Sequence, residues 1–232
     1  MGLYFLFMVP PLLLMLYAQY RVSSAYNKYS KVPNTSRLTG ADAARRLLES
    51  QGISGVAVEV GKGTLSDHYD PRAKKLRLSP EVANHASVAA LGIAAHEVGH
   101  AVQHAHAYGP LKIRNGLFPL ANLGSQLGFL AVIAGLFLYY LGTEFGLTVS
   151  WIGIALFGTA ALFALLTLPV EFNASRRAKA MLQQSGMVST SEYNAAGEVL
   201  SAAALTYVAS LVQIVMQLLY FVMLVSGARR RD

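Results

Sequence analysis

Long runs of apolar residues, separated by polar segments, dominate the pattern of this 232-residue chain. A helix needs about 20 mostly apolar residues to cross the hydrocarbon core of a bilayer. Four stretches without any charged side chain are long enough: Met1 to Tyr20, Asn115 to Thr143, Phe145 to Val170 and Val199 to Ala228. The pattern therefore predicts four transmembrane helices, at about residues 3–20, 117–141, 147–169 and 201–226.

The composition agrees with a membrane protein. Charged residues make up 13% of the chain, whereas soluble domains carry about 25%. The first apolar stretch lacks the basic start and the small-residue cleavage site of a secretory signal peptide, so a retained anchor is favoured over a cleaved leader. The chain has no cysteine, which excludes disulfides and thiolate chemistry.

A small polar domain is predicted between the first two spans. "TGADAARRLLESQG" has the pattern of a helix with Thr39 as N-cap and Gly52 as stop signal. "VAVEV" alternates as a strand does, and "TLSDHY" and "KKLRLS" have the pattern of a hairpin around "DPRA". The domain is therefore expected to mix helices with a small sheet.

Two serines mark the starts of the helices that follow. Ser79 precedes Pro80, a residue typical of the first helical position, and is the predicted N-cap of a short helix. Ser87 is the predicted N-cap of a longer helix, from about Val88 to Ala105, which Gly109-Pro110 ends.

The long helix carries "AAHEVGHAVQHAHAY", which holds four of the six histidines of the chain. His96, Glu97 and His100 form the H-E-x-x-H motif. Residues four apart on a helix are offset by about 40°, so the two histidines project from one face and can bind one Zn²⁺. Glu97 lies about 100° from His96, where it can accept a proton from a water on the metal. Gly99 is one of several small residues that let a neighbouring element pack closely. The alternative is a helix whose histidines are satisfied within the core.

The other two histidines are poorly placed for the same ion. His106 stands where the extended motif H-E-x-x-H-x-x-G-x-x-H has its third ligand, but Gln103 replaces the glycine that turns the chain toward the metal. On an unbroken helix His106 lies about 120° from His100. Both His106 and His104 are therefore predicted to be polar residues near the helix end. A catalytic zinc site typically uses three protein ligands, so the third must come from elsewhere.

Glu171 is the candidate third ligand. In "TLPVEFNASRRAKAM" it is the first charged residue after the third span, just before a predicted new amphipathic helix. The two spans between the H-E-x-x-H helix and Glu171 return the chain to its starting side, so His96, His100 and Glu171 can meet. Taken alone, Glu171 also fits an ordinary acidic residue in the first turn of a helix.

Four segments, "LSDHYDPRAKKLRLS", "AAHEVGHAVQ", "LPVEFNASRRA" and "SAAALTYVAS", resemble the YugP-type membrane zinc metallopeptidases, a neutral zinc metallopeptidase family. The resemblance covers about residues 20–225 and extends distantly to the HtpX and CAAX-prenyl-protease gluzincins. It implies a mainly α membrane protein with four transmembrane helices and a small α+β, zincin-like metalloprotease domain. It also implies Zn²⁺ as cofactor, with His96, His100 and Glu171 as ligands and Glu97 as general base.

The chain departs from the distant relatives at two positions near the glutamate ligand. Ser175 stands where an Asp is often found, and Asn173 stands where an acid would be common. The groups that orient the zinc ligands, which are usually carboxylates, carbonyls or waters, are therefore not identified by the resemblance.

The function predicted from these features is zinc-dependent endoproteolysis of membrane or membrane-proximal polypeptides, without a nucleic-acid partner. Glu97 takes a proton from the attacking water and passes it to the leaving amine. "TLSDHY" offers a strand edge for an extended substrate, or else is a plain structural hairpin. The oxyanion-stabilising group is not identified, and the candidates are Tyr193, Tyr207, His68 and Arg176.

Two other classes of function fit parts of the pattern. The alternative to a protease is a catalytically silent zinc-binding scaffold, but a structural site has no need of Glu97. A metal transporter would place ionisable residues inside the spans. The spans carry only amides, such as Gln126, Gln213 and Gln217.

The basic residues predict the orientation. Sixteen of the 19 Lys and Arg residues lie on the side of the H-E-x-x-H helix. Positive residues near span ends are retained in the cytoplasm, so this side is predicted to be cytoplasmic and both termini outside, although Arg229–Arg231 argue against it.

The predicted divisions are a first transmembrane helix (1–20), a catalytic domain (21–112), a transmembrane hairpin (113–169), a Glu-ligand helix and loop (170–198), a fourth transmembrane helix (199–228) and a basic tail (229–232).

Overall fold

The computed structural model describes residues 2–228, and the predicted basic tail at 229–232 lies outside them. Helices dominate the described residues, and the strands form a small three-stranded sheet. The prediction of a mainly α membrane protein with a small α+β region is therefore confirmed. In chain order the elements are α1 (Gly2–Tyr29), α2 (Gly40–Ser50), β1 (Ala57–Val60), β2 (His68–Asp70), β3 (Lys75–Leu78), α3 (Pro80–Asn84), α4 (Val88–Ala105), α5 (Gly109–Tyr140), α6 (Phe145–Gln184) and α7 (Thr190–Ala228).

Four helices, α1, α5, α6 and α7, are long and apolar enough to cross a membrane. α1, α6 and α7 include their predicted spans and continue beyond them, whereas α5 begins before its predicted span and ends at Tyr140, one residue short of its predicted end. Large apolar side chains are exposed along them, among them Leu13 at 59%, Phe137 at 62% and Leu165 at 54% exposure. Such surface is unfavourable in water and favourable against lipid tails, so the exposure agrees with membrane-spanning helices.

Two helix boundaries differ from those that the sequence pattern predicts. α6 runs without a break through Pro169, so Glu171 lies inside it, and the prediction of a new helix at Glu171 is wrong. A proline removes one helical hydrogen bond, but the residues after it include strong helix formers that continue the helix. Gly109-Pro110 opens α5, and the turn after α4 comes earlier, at Ala107, whose φ is 52°.

The chain divides into two compact units, and α1, α5, α6 and α7 contribute residues to both. The first unit comprises residues 2–17, Lys112–Leu168 and 206–228. Within it α5 and α6 approach each other closely, because a Cβ placed on Gly128 would lie only 2.7 Å from the carbonyl oxygen of Gly153. Glycines that allow such backbone contact are common between transmembrane helices.

The second unit comprises Ala18–Leu111 and Pro169–Leu205 and contains the sheet. The strand order is β1-β3-β2, with β1 parallel and β2 antiparallel to β3. Leu76 and Leu78 of the central strand are fully buried, whereas the alternate residues of β3 form ion pairs with Glu59 of β1. This alternation is that of a strand with one face on the core.

The predicted hairpin of β2 and β3 is confirmed, but β2 is shorter than "TLSDHY". Leu65 adopts a φ of 51°, and the Ser66 hydroxyl donates a hydrogen bond to the carbonyl oxygen of Lys62 at 2.7 Å. The first part of the segment therefore forms a turn, and pairing with β3 begins only at His68.

All three predicted N-cap positions are confirmed, and two of them make a side-chain cap hydrogen bond. The Thr39 hydroxyl accepts a backbone hydrogen bond at the start of α2, and the Ser87 hydroxyl accepts one from Ala90 at the start of α4. Ser79 occupies the N-cap position of α3 with Pro80 after it, as predicted, but its side chain makes no cap hydrogen bond. Its hydroxyl donates instead to the Asp67 carboxylate at 3.1 Å, which ties α3 to the turn before β2.

α4 is embedded in the core of the second unit. Leu91, Val98 and Val102 are buried and belong to one apolar cluster with Leu47 of α2 and Leu76 of β3. Full burial of each such side chain contributes about 1.5–3 kcal/mol. The helix that carries the H-E-x-x-H motif is thus fixed by core packing.

Candidate metal centre

His96 and His100 lie one turn apart on α4, as the motif spacing predicts. Their ring centroids are 4.8 Å apart and the rings are nearly perpendicular, at 86°. The side chains are 15% and 13% exposed, so each imidazole is mostly buried but reachable.

α6 brings Glu171 to the same two imidazoles. Glu171 Oε2 lies 3.2 Å from His96 Nε2 and 3.5 Å from His100 Nε2, and the residue is only 3% exposed. Among the residues that the structure describes, these three form the one group of at least three His, Cys, Asp or Glu residues that could hold a metal ion.

The close approach of α4 and α6 depends on Gly99. A Cβ built on this glycine would lie 2.7 Å from the carbonyl oxygen of Ala174 on α6, a separation that real Cβ atoms essentially never show. Glycine at this position therefore lets Glu171 reach the histidines of α4. The expectation that small residues of the motif helix admit a close neighbour is confirmed at this contact.

The three side chains fit a zinc ion. Zinc is bound by imidazole nitrogen and carboxylate oxygen at about 2.0–2.2 Å, so neighbouring ligands of a tetrahedral site lie about 3.4 Å apart. The measured separations of 3.2 and 3.5 Å between Glu171 Oε2 and the two Nε2 atoms match this spacing. Two imidazoles and one carboxylate are also the donor set of many catalytic zinc sites.

Negative charge surrounds His100. Burial alone would lower the pKa of its imidazole, but the hydrogen bond to Glu171 and the charges of Glu97 and Glu171 outweigh burial and raise the pKa above its ordinary value. Glu97 itself is buried, with 7% of its surface exposed. A divalent cation would replace the proton that this acidic setting favours.

The Nδ1 atoms of both histidines face uncharged partners. Ser175 Oγ lies 3.2 Å from His96 Nδ1, and Gln103 Oε1 lies 3.0 Å from His100 Nδ1. In the sequence, Ser175 differs from the Asp often found in distant relatives, and Gln103 stands where the extended motif has a glycine. Sequence reasoning therefore misses the contacts of both residues, although the i,i+3 spacing of Gln103 from His100 is a readable signal.

The other two histidines of the segment lie apart from the three-residue group. His104 Nδ1 is 2.8 Å from the Tyr69 hydroxyl of β2, and His106 is exposed at the C-cap of α4. Their prediction as polar residues near the helix end agrees with these positions. Their exclusion from metal binding stays a prediction.

The four oxyanion candidates occupy different elements. The Lys179 ammonium nitrogen lies over the Tyr193 ring, 4.8 Å from the ring centroid. Arg176 is exposed on α6. His68 is exposed on β2, and Tyr207 lies on α7 within the first unit. These positions do not identify which of the four side chains would stabilise the oxyanion.

The chain matches a family described as "Putative neutral zinc metallopeptidase" over residues 4–226. It is 45% identical over 213 residues to the "Putative membrane protease YugP" of Bacillus subtilis (strain 168), an alignment that covers 92% of each chain. No solved structure matches the chain significantly. The resemblance carried by the four sequence segments is therefore confirmed.

Proposed function

Because this chain belongs to the neutral zinc metallopeptidase family, we propose that it is a membrane-embedded, zinc-dependent endopeptidase of the H-E-x-x-H gluzincin type. Its substrates are peptide bonds of membrane or membrane-proximal polypeptides. The observation that carries the proposal is the group of His96, His100 and Glu171, in which Glu171 Oε2 lies at the spacing of zinc ligands from the two imidazole Nε2 atoms.

Each residue of the group has a defined role. His96 and His100 bind through Nε2, and Glu171 binds through a carboxylate oxygen. Bound Zn²⁺ supplies a Lewis acid that polarises the scissile carbonyl and acidifies the attacking water. Glu97 accepts the proton of that water and delivers it to the leaving amine. Its position on α4 next to His96, with only 7% of its surface exposed, supports this role.

The substrate pairs with the edge of the sheet. β2 is an outer strand in the order β1-β3-β2, so one of its edges is not used by β3. The hydrogen bond between Tyr69 and His104 holds this strand against the motif helix. An extended peptide that adds to β2 through backbone hydrogen bonds would therefore run beside α4.

The unit with the metal group faces the cytoplasm. Arg21, Lys28, Arg176 and Arg177 lie on the parts of α1 and α6 that belong to this unit. Basic residues that flank spans are retained on the cytoplasmic side.

The substitution Glu97→Gln tests the catalytic role. The amide cannot accept a proton, so the variant should keep one zinc per chain and lose at least about 10²–10⁴-fold in hydrolysis. Metal analysis and cleavage of a quenched fluorescent polypeptide in detergent measure the two properties. The matched control is Glu49→Gln, the same change at an exposed glutamate of α2, which should keep both.

Hydrolysis that is equal in Glu97→Gln and the wild type would assign the cleavage to another group. A wild-type protein that keeps stoichiometric zinc but cleaves no polypeptide would instead favour the silent zinc-binding scaffold.

A further inference from the structure

Gln103 is the largest polar side chain buried in α4, with 0% exposure. It lies one turn after His100, and each of its polar atoms has a partner. Oε1 lies 3.0 Å from His100 Nδ1, while Nε2 lies 2.8 Å from the carbonyl oxygen of Val170 and 3.0 Å from Asn173 Oδ1.

These partners fix which way the amide points. The carbonyl oxygen of Val170 can only accept a hydrogen bond, so the group that faces it must be the NH₂ of Gln103. The second N–H of that NH₂ group points to Asn173 Oδ1. Oε1 is therefore directed at His100 and can only accept, so Nδ1 of His100 must carry the hydrogen.

Arg177 fixes the Asn173 amide in the same way. Its Nε–H donates to Asn173 Oδ1 at 2.8 Å, and a guanidinium group has no acceptor. Oδ1 of Asn173 therefore faces both Arg177 and Gln103, and cannot exchange places with the amide nitrogen without losing two hydrogen bonds.

We propose that Gln103 is a positioning residue that holds the neutral His100 imidazole in the Nδ1–H form, with the Nε2 lone pair directed at the metal. This inference rests on the proposed function of the site. With Nδ1 protonated, the lone pair of neutral His100 is on Nε2, the atom that faces Glu171 Oε2 at 3.5 Å. Gln103 thus does for His100 what a carboxylate or carbonyl does in many zinc sites.

A purely structural role for Gln103, as a tie between α4 and α6, predicts a different outcome. A structural tie would affect stability and leave the tautomer of His100 free. Two measurements separate the roles: the tautomer of His100 in the zinc-free protein, and the affinity for Zn²⁺ by competition with a chelator.

The tautomer is read from ¹⁵N chemical shifts of labelled histidine, at a pH high enough to leave the imidazole neutral. The His100 signals are assigned by their loss in His100→Ala. We expect the wild type to show the Nδ1–H form, and Gln103→Met, which keeps length but not polarity, to show a mixture. A wild type in the Nε2–H form would overturn the proposal without any variant.

The affinity for Zn²⁺ should fall about 10–100-fold in Gln103→Met, which is the usual effect of removing a partner of a metal-binding histidine. The matched control is Val102→Ala, a cavity at the neighbouring buried position, which should lower the melting temperature and leave zinc affinity within about twofold. Equal zinc affinity in Gln103→Met and the wild type would overturn the proposal.

Neither measurement uses proteolysis. If zinc binding and the tautomer follow these expectations but no polypeptide is cleaved, the proposed function fails and the role of Gln103 stands. If cleavage occurs and Gln103→Met leaves the zinc affinity unchanged, the proposed function stands and the role of Gln103 fails.

Discussion

Gly99→Ala tests whether the contact between α4 and α6 sets the spacing of the metal group. The added Cβ would lie 2.7 Å from the carbonyl oxygen of Ala174, whereas ordinary contacts begin at 3.4 Å. The neighbouring atom is backbone rather than the end of a flexible side chain, so it cannot swing away. The helices must therefore separate by about 0.7 Å at this point, the difference between the two distances.

This displacement is large compared with the tolerance of a zinc site. Ligand distances in zinc sites stay within about 0.2 Å of their usual values. Since Glu171 lies less than one turn from Ala174 on α6, it moves with the backbone and away from the Nε2 atoms of His96 and His100. We expect zinc affinity to fall at least about tenfold, which corresponds to about 1.4 kcal/mol.

The stability of the zinc-free protein should change less than its zinc affinity. Overpacking typically costs about 1–3 kcal/mol, but replacing a glycine by alanine inside a helix gains about 1 kcal/mol. A net loss of about 0–2 kcal/mol is therefore expected in the absence of metal. The variant should fold, which keeps zinc binding measurable.

The assay is thermal unfolding in detergent with and without Zn²⁺, together with a chelator competition. Gly197→Ala is the matched control, because Gly197 is also a buried helical glycine of this unit, but its Cβ would meet only the flexible Lys179 side chain, at 3.4 Å. Zinc should raise the melting temperature of the Gly197→Ala control as much as that of the wild type. The rise should be much smaller in Gly99→Ala. Wild-type zinc affinity in Gly99→Ala would refute the reasoning.

Three further predictions concern the ligands, the loop contacts and the orientation. Glu171→Ala should abolish stoichiometric zinc while His106→Ala keeps it; metal analysis that gives the reverse would place the third ligand on α4. Glu192 accepts hydrogen bonds from Thr35 and from the backbone N–H of Ser189, so Glu192→Ala should lower stability by about 1–3 kcal/mol in denaturant unfolding. Its zinc content should stay unchanged, and a loss of zinc would show that this loop shapes the site. A cysteine placed at Ser54 should resist an impermeant thiol reagent in intact cells, and ready labelling there would put the metal group outside.

Local signals in the sequence account for much of α4. Ser87 caps it, and its bounds are those predicted, because a serine before an apolar helical pattern satisfies free N–H groups wherever the helix lies. The spacing of His96 and His100 is equally local, since it depends only on helical geometry. These features need no knowledge of the neighbouring elements.

Features that depend on a partner far away in the chain cannot be predicted from local sequence patterns. Ser79 has the sequence context of an N-cap, yet Asp67 offers its hydroxyl a carboxylate that no local rule anticipates. Gln103 stands out in the sequence only as a missing glycine. Its hydrogen bonds need the backbone of Val170 and the side chain of Asn173, which come from a helix 67 and 70 residues further along the chain.

The continuity of α6 explains why the position of Glu171 is well defined. Glu171, Ala174 and Ala178 are spaced by three and four residues, so they share one face of the helix, and all three are buried. The small side chains at 174 and 178 let this face lie close to α4, where Ala174 meets Gly99. The acidic ligand and the packing surface are thus parts of one rigid helical face. A ligand at the start of a separate helix, as the sequence pattern predicts, would have its position set by a flexible connection. In the continuous helix, the contact that packs α6 against α4 also sets the distance from Glu171 to the histidines.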